Sequence, residues 1–156
     1  MGKLMLLIED APVDVLLVKR ALGRVPLGEL QVVRSAQQGR EYLLGVGEYG
    51  DREKYRLPDI ILLDLTLPDE SGLSFLKWRS SQGEETRVTP VIVITGQIAP
   101  WMAAEAHVLG ASCVLIKHMD PTVFESHLRM LFETLQVCEV PNRDALANVP
   151  KSMRFR

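Results

Sequence analysis

The 156-residue sequence contains few cysteines, few aromatic side chains and no long hydrophobic run. Its two cysteines, Cys113 and Cys138, cannot form a framework of disulfides and do not have metal-ligand spacing. No apolar stretch approaches the roughly 18–20 residues that a membrane span needs. The apolar segment after Lys3 is too short for the core of a signal peptide, and no small-residue cleavage site follows it. These absences exclude a disulfide-stapled domain and a membrane span, and we expect a cytoplasmic protein.

Charge of one sign is not concentrated anywhere in the chain. The formal net charge is −2, and the 18 basic and 20 acidic residues are scattered. A few basic residues near the end, Lys151, Arg154 and Arg156, are typical of a solvated terminus. The three histidines do not have the spacing of zinc ligands. We therefore expect no nucleic acid and no membrane among the partners.

What the chain does have is five short apolar segments separated by segments with helical spacing. Short runs rich in Ile, Val and Leu suit parallel strands that are buried on both faces. We predict strands within 4–8, 29–35, 59–65, 90–95 and 112–117, and helices within 13–25, 36–46, 72–82, 97–109 and 121–137. This alternation predicts an α/β fold, a flavodoxin-like (βα)5 three-layer sandwich whose parallel five-stranded sheet has the order 2-1-3-4-5.

The pattern also suggests how the chain is divided. Residues 1–138 are expected to form one domain, and residues 139–156 a C-terminal extension that packs on this domain or on a dimer partner. The polar residues 45–55, between the second helix and the third strand, have the composition of an exposed loop.

Polar residues with a possible chemical role stand where the predicted strands end. Strand 1 ends in Glu9 and Asp10, strand 3 carries Asp64 near its end, and strands 4 and 5 end in Thr95 and Lys117. In such sheets the carboxyl ends of the strands form the site. Three close carboxylates repel one another unless a cation compensates, and oxygen ligands that share a phosphoryl group suit Mg²⁺. A carboxylate oxygen could then attack phosphorus and form an aspartyl phosphate.

Each of these residues also has an ordinary structural explanation. Acids at strand ends often cap helices, threonine favours strands, and a lysine at a strand end is usually solvated. Asp64 within IILLDLTLP is harder to explain in this way, because a buried unpaired carboxylate is costly. The shared location of all five residues favours a site over five separate coincidences.

Taken together, these residues resemble the receiver domain of response regulators over about residues 3–136. The motifs that carry the resemblance are LLIED with Asp14 shortly after it, IILLDLTLPDESG, VIVITG, GAS and the strand-end Lys117. The resemblance implies that Asp64 accepts a phosphoryl group from a histidine kinase. It implies a phosphoacceptor that assists its own phosphorylation and dephosphorylation and signals through protein contacts without an output domain, rather than an enzyme.

The same resemblance implies a set of metal ligands. Mg²⁺ would be held by Asp10 directly, by Glu9 through water, and by Asp64 and the backbone carbonyl of Thr66. Thr95 and Lys117 would contact the phosphoryl group, as in other receivers.

Two positions depart from the pattern of the family. His118 follows Lys117 where receivers usually have a proline after a cis peptide bond, and a cis bond before another residue costs about 3–4 kcal/mol. Val114 stands where many receivers carry a Tyr or Phe whose rotamer reports phosphorylation. The alternative function is therefore a receiver-like interaction scaffold with weak or no phosphate-dependent switching.

Other functions fit the residues less well. A phosphohydrolase of the haloacid-dehalogenase type carries a second Asp two residues after the nucleophile, where this sequence has Thr66. A flavodoxin would need a phosphate to approach the acidic loop after strand 1, which would repel it.

Partner surfaces are suggested by the fifth predicted helix and by the overall layout. The long 45–57 loop and the C-terminal extension resemble regulators that partner bacterial phytochrome kinases. The core stripe of this helix consists of Phe124, Leu128, Leu131 and Leu135. Three further apolar residues, Val123, Met130 and Phe132, lie partly outside it and widen the apolar sector. This width predicts a two-fold homodimer through the helix 4–strand 5–helix 5 face, unless the extension covers these residues.

Overall fold

The Ile-, Val- and Leu-rich segments form one parallel sheet in the order β2-β1-β3-β4-β5, as predicted. The structure, a computed structural model, describes residues 2–96 and 99–136. The strands are β1 (Lys3–Ile8), β2 (Gly28–Val33), β3 (Ile60–Leu63), β4 (Val91–Thr95) and β5 (Ala111–Ile116). The helices are α1 (Pro12–Gly23), α2 (Ala36–Leu44), α3 (Gly72–Ser80), α4 (Glu84–Arg87), α5 (Pro100–Val108) and α6 (Pro121–Gln136).

The helices cover both faces of the sheet, which confirms the three-layer sandwich. Because successive strand side chains point to opposite faces, Met5 and Leu7 pack with α1 and α6, whereas Leu6 and Ile8 pack with α2, α3 and α5. Cys113 lies in the core beside α6, as its small apolar side chain predicts. Cys138 falls outside the described residues, as does the predicted extension 139–156.

The long connection between α2 and β3 is mostly exposed, as its composition predicts, but it also has a structure of its own. It begins with a 3-10 turn, Gly47–Tyr49, and the ring of Tyr49 is buried between Tyr42 and Tyr55. Arg52 donates hydrogen bonds to the carbonyls of Tyr42, Leu43 and Tyr55 and so binds the end of α2. The polar composition does not reveal this structure, because Tyr49 and Tyr55 of the segment and Tyr42 of α2 are spaced too irregularly to form a pattern.

Helix α4 is also absent from the prediction. It is a single turn of four residues, which is too short to show helical periodicity. Its carboxyl end is held by the buried Arg79, whose guanidinium donates to the carbonyl oxygens of Arg87 and Thr89.

Helix α6 has the predicted core stripe, and all four of its residues, Phe124, Leu128, Leu131 and Leu135, are buried. The prediction for Phe132 is wrong: this ring is fully buried in the same core and is not part of a second surface. Only Val123 and Met130 of the wider sector keep exposed area. Among the described residues, no helix is both long and apolar enough to cross a membrane.

Candidate functional site

The carboxyl ends of the central strands bring the predicted acidic residues together. Ile8 at the end of β1 pairs with Leu63 at the end of β3, so that Glu9 and Asp64 leave adjacent strands side by side. The predicted strand 59–65 includes Asp64, but β3 ends at Leu63, so Asp64 is the first residue after the strand. The backbone N–H of Asp64 still donates to the carbonyl of Ile8, which fixes the carboxylate at the sheet edge.

The ammonium group of Lys117 is the centre of this site. Lys117 follows β5, and its backbone N–H donates to the carbonyl of Thr95 at the end of β4. Its Nζ lies 2.6 Å from Oε2 of Glu9, 2.8 Å from Oδ2 of Asp14 and 2.8 Å from Oδ2 of Asp64. One cation therefore compensates three carboxylates that come from three different elements.

Burial explains why these carboxylates need a cation. Glu9 and Asp64 are both buried. Burial raises the pKa of Glu9 to about 7, helped by a hydrogen bond from its protonated carboxyl group to Asp64 and in spite of the opposing ammonium of Lys117. Burial alone lowers the pKa of Lys117, but its hydrogen bonds to Asp14, Asp64 and Glu9 outweigh this and hold the pKa above its ordinary value.

The chain after β3 holds the Asp64 carboxylate in one orientation. Oδ1 of Asp64 accepts the backbone N–H of Thr66 at 3.1 Å, which leaves Oδ2 for Lys117. Gly72 allows this turn to close, because a Cβ at that position would lie 2.5 Å from the Asp64 carbonyl oxygen. A larger residue would push the backbone that carries the carboxylate.

The same loop is fastened to the neighbouring helices by residues that the sequence did not point out. Asp69 accepts the first two backbone N–H groups of α2, at 3.0 Å and 2.9 Å, and Ser35 caps the next turn position. Desolvation opposes the effect, but these hydrogen bonds hold the pKa of Asp69 below its ordinary value. Glu70 forms an ion pair with Arg40, whose guanidinium lies over the ring of Trp78. The sequence around Asp69 and Glu70 does not indicate these contacts, because the residues that they bind lie about 30 positions away in the chain.

The other predicted site residues lie at the same edge without joining the ammonium. Asp10 is exposed next to Glu9, Thr95 is buried at the end of β4, and Thr66 is exposed two residues after Asp64. Their roles towards a metal ion or a phosphoryl group stay predictions. Asp14, which the sequence pointed to only as part of a motif, is the additional residue that the structure brings into the site.

The donor set fits the Mg²⁺ that the sequence predicts. Glu9 and Asp64 supply buried carboxylate oxygens, the ligands that hard divalent cations prefer, and the pair already holds a cation between its members. Among the described residues, no three acidic, histidine or cysteine side chains are arranged as a ready ligand set. Metal binding would therefore require the ammonium group to give way at Glu9 and Asp64.

The two departures from the family pattern have defined structures. The peptide bond between Lys117 and His118 is trans, the form that is lower in energy before a residue other than proline. His118 turns away from the carboxylates, and its Nδ1 accepts the backbone N–H of Asp120. Val114 is buried in the core on the side of α5, where a β-branched side chain has no ring to rotate.

Comparison with known proteins agrees with this architecture. The chain belongs to the response regulator receiver domain family, whose sequence profile matches residues 5–129. It is 29% identical over 138 residues to Response regulator Rcp1 of Synechocystis sp., with 88% of this chain and 86% of Rcp1 covered.

Solved structures of similar regulators superpose closely. The phosphorylated cyanobacterial phytochrome response regulator RcpA is 26% identical, with a TM-score of 0.82 over 91% of this chain and 100% of RcpA. A Mn²⁺-bound form of Rcp1 is 26% identical, with a TM-score of 0.80 over 90% of this chain and 99% of the other. The bacteriophytochrome response regulator RtBRR is 28% identical, with a TM-score of 0.71 over 98% of this chain and 87% of RtBRR. The protein is thus a receiver-domain response regulator similar to those of phytochrome signalling.

Proposed function

We propose that the protein accepts a phosphoryl group from a histidine kinase on Asp64, with Mg²⁺ bound at Glu9, Asp10, Asp64 and the Thr66 carbonyl. The observation that supports this most is the convergence of Glu9 and Asp64 on one cation at the edge of the sheet. Two buried carboxylates side by side at this position are costly unless a cation is present.

The chemistry follows from the residues of the chain. A carboxylate oxygen of Asp64 attacks the phosphorus of a phosphohistidine; the new P–O bond forms as the P–N bond breaks, and the released imidazole takes a proton from solvent. Bound Mg²⁺ supplies positive charge to the phosphoryl oxygens during transfer. Lys117 supplies a further positive charge, and the hydroxyl of Thr95, at the end of β4, donates to the phosphoryl group of the product.

Exposed apolar side chains at the mouth of the site support a protein donor over a small one. Val13 and Leu16 are exposed on α1 on either side of Asp14, and Met119 is exposed two residues after Lys117. An apolar rim around a charged centre is typical of a surface that a protein partner covers. Because the similar regulators RcpA and RtBRR are named for phytochromes, we infer that the partner kinase is a bacterial phytochrome.

The test is phosphorylation by acetyl phosphate and occupancy by beryllofluoride in the presence of Mg²⁺, read by intact-mass spectrometry and tryptophan fluorescence. We expect modification of the wild type and none of Asp64→Asn. Asp120→Asn is the matched control, because Asp120 caps α6 at the same sheet edge and asparagine caps helices equally well. Equal labelling of Asp64→Asn would refute the assignment. Phosphorylation that leaves partner binding unchanged would favour the scaffold alternative.

We also propose that the protein forms a two-fold homodimer through the face made by α5, β5 and α6, which correspond to predicted helix 4, strand 5 and helix 5. β5 is the edge strand of the sheet, and Trp101 and Val108, 63% and 85% exposed, lie two turns apart on one face of α5. Met130 adds exposed apolar area on α6. Sedimentation equilibrium should show a dimer that Trp101→Glu dissociates and Val88→Glu, the same charge on an exposed valine at the end of α4, does not. A wild-type monomer at high concentration would contradict the proposal.

A further inference from the structure

We propose that Asp14 is a positioning residue for Lys117: it holds the ammonium group at the site through a carboxylate that the metal does not require. This inference rests on the proposed function, since it concerns how Lys117 is kept available for phosphoryl transfer. The main support is the 2.8 Å contact between Asp14 Oδ2 and Lys117 Nζ. This contact joins α1 to the segment after β5, and its two residues are 103 positions apart in the sequence.

Asp14 differs from the other two carboxylates in its position. The side chains of Glu9 and Asp64 are 3% and 7% exposed, whereas that of Asp14 is 25% exposed. The ammonium is therefore held between two buried carboxylates and a third on the solvent side. Both buried ones are candidate metal ligands, and Asp14 is the only one of the three that is not.

The helix that carries Asp14 is well placed to position another group. Pro12 begins α1, and Asp14 lies in its first turn, where the helix dipole stabilises a negative charge. The neighbouring Val15 and Val18 are buried in the core, so the backbone of this turn is fixed against the sheet. A carboxylate on such an element has little freedom to follow the lysine and instead holds it in place.

Lys117 needs such an anchor because the chain that follows it provides none. A lysine side chain has four rotatable bonds and no geometric preference beyond its charge. The next residue is His118 in a trans peptide, and its ring bonds to the backbone of Asp120 and not to the site. The carboxylates alone determine where the ammonium lies.

The arrangement of charge gives the expected consequence. The three carboxylates and one ammonium sum to a formal charge of −2, and Asp14→Asn changes this to −1. When a metal ion takes Glu9 and Asp64, the ammonium of the wild type keeps Asp14 as its partner. In Asp14→Asn, the only carboxylates left to the ammonium are Glu9 and Asp64, which the metal also uses. The metal must then displace the ammonium completely.

The experiment is a double-mutant cycle of Asp14→Asn and Lys117→Met on the full chain. The readouts are Mg²⁺ affinity by calorimetry, the rate of phosphorylation by acetyl phosphate, and the ¹H–¹⁵N NMR signal of the Lys117 ammonium. Glu29→Gln is the charge control, because it removes one exposed carboxylate at the opposite end of the sheet. Asp14→Glu tests rescue by a carboxylate in nearly the same place.

We expect Asp14→Asn to weaken Mg²⁺ binding and to slow phosphorylation by about tenfold, the effect of losing one charge-assisted hydrogen bond. The Lys117 ammonium signal should broaden or disappear through faster exchange, and Asp14→Glu should restore part of each effect. In the Lys117→Met background the same substitution should change the phosphorylation rate less than twofold.

Two results would overturn the inference. If Asp14→Asn slowed phosphorylation equally with and without Lys117, Asp14 would act through its charge alone. An unchanged ammonium signal in Asp14→Asn would show that the contact does not hold the lysine. The NMR readout needs no phosphoryl transfer, so it still decides the role of Asp14 if Asp64 proves not to be phosphorylated.

Discussion

Replacement of Lys117 by methionine tests the central feature of the site, one ammonium that neutralises three carboxylates. Methionine keeps an unbranched apolar side chain that reaches as far as Cε of lysine, and it removes the ammonium group with its three hydrogen bonds. In the variant, Glu9, Asp14 and Asp64 face one another without a cation. We expect the protein to become less stable without metal and to bind Mg²⁺ more tightly than the wild type does.

The size of the effect follows from burial. Removing one partner of a buried ion pair costs about 3–5 kcal/mol, because the remaining charge is left uncompensated. The Lys117 side chain is only 13% exposed, which places the site near the buried limit. Proton uptake by Glu9 limits the cost, since its pKa is about 7 even with the ammonium present. The destabilisation should therefore be largest near pH 8 and smaller at pH 6.

Urea denaturation in EDTA and in saturating MgCl₂ measures both parts of this prediction. A ligand at about 100 times its Kd adds roughly 2.7 kcal/mol to the free energy of unfolding, and this gain should be greater for Lys117→Met than for the wild type. Lys77→Met is the control, because Lys77 is exposed on α3. The reasoning fails if Lys117→Met in EDTA at pH 8 lies within about 1 kcal/mol of the wild type, the range of an exposed ion pair.

Three further predictions concern the surroundings of the site. In EDTA, the free energy of unfolding of the wild type should fall by about 1–3 kcal/mol as the pH rises from 5 to 8, because Glu9 holds its proton to about pH 7 when folded and only to 4.5 when unfolded; Glu9→Gln should flatten this slope in urea titrations at each pH. Asp69→Ala should lower stability by about 0.5–2 kcal/mol in the same assay, since two α2 amides lose their acceptor, whereas Asp69→Asn should retain most of it. Gly72→Ala should cost about 1–3 kcal/mol and slow phosphorylation by acetyl phosphate, because the new Cβ would lie 2.5 Å from the carbonyl oxygen of Asp64; Gly23→Ala, where the Cβ meets nothing within 4 Å, should not be destabilising.

Local pattern was sufficient to predict the strands and the longer helices. Four of the strands are short apolar runs, β2 is a weaker one that includes polar residues, and the longer helices repeat apolar residues with helical spacing. Neighbours in sequence therefore carry the information. Strand order followed from general rules of chain connection, which do not depend on particular side chains. The same local reasoning missed α4, because a single turn shows no period. It also missed the burial of Tyr49, because the three tyrosine rings that pack together are irregularly spaced in the sequence.

The candidate site was accessible from sequence because its residues occupy equivalent positions on different strands. Glu9, Asp64, Thr95 and Lys117 each stand where a strand ends, and a parallel sheet brings such ends to one edge. The contacts among them were not accessible. Nothing in the sequence indicated that Lys117 would bind three carboxylates at once, or that Asp14 would be the third.

The sequence by itself therefore determined the class of fold, the edge of the sheet that carries the charged residues and the type of chemistry that they suit. Only the tertiary structure decided which charges meet, which are buried and how the loop after β3 is fastened to α2. The physical reason is range. Periodicity and strand ends are properties of adjacent residues, whereas a pKa or an ion pair depends on groups that the fold brings within about 3–4 Å from distant parts of the chain.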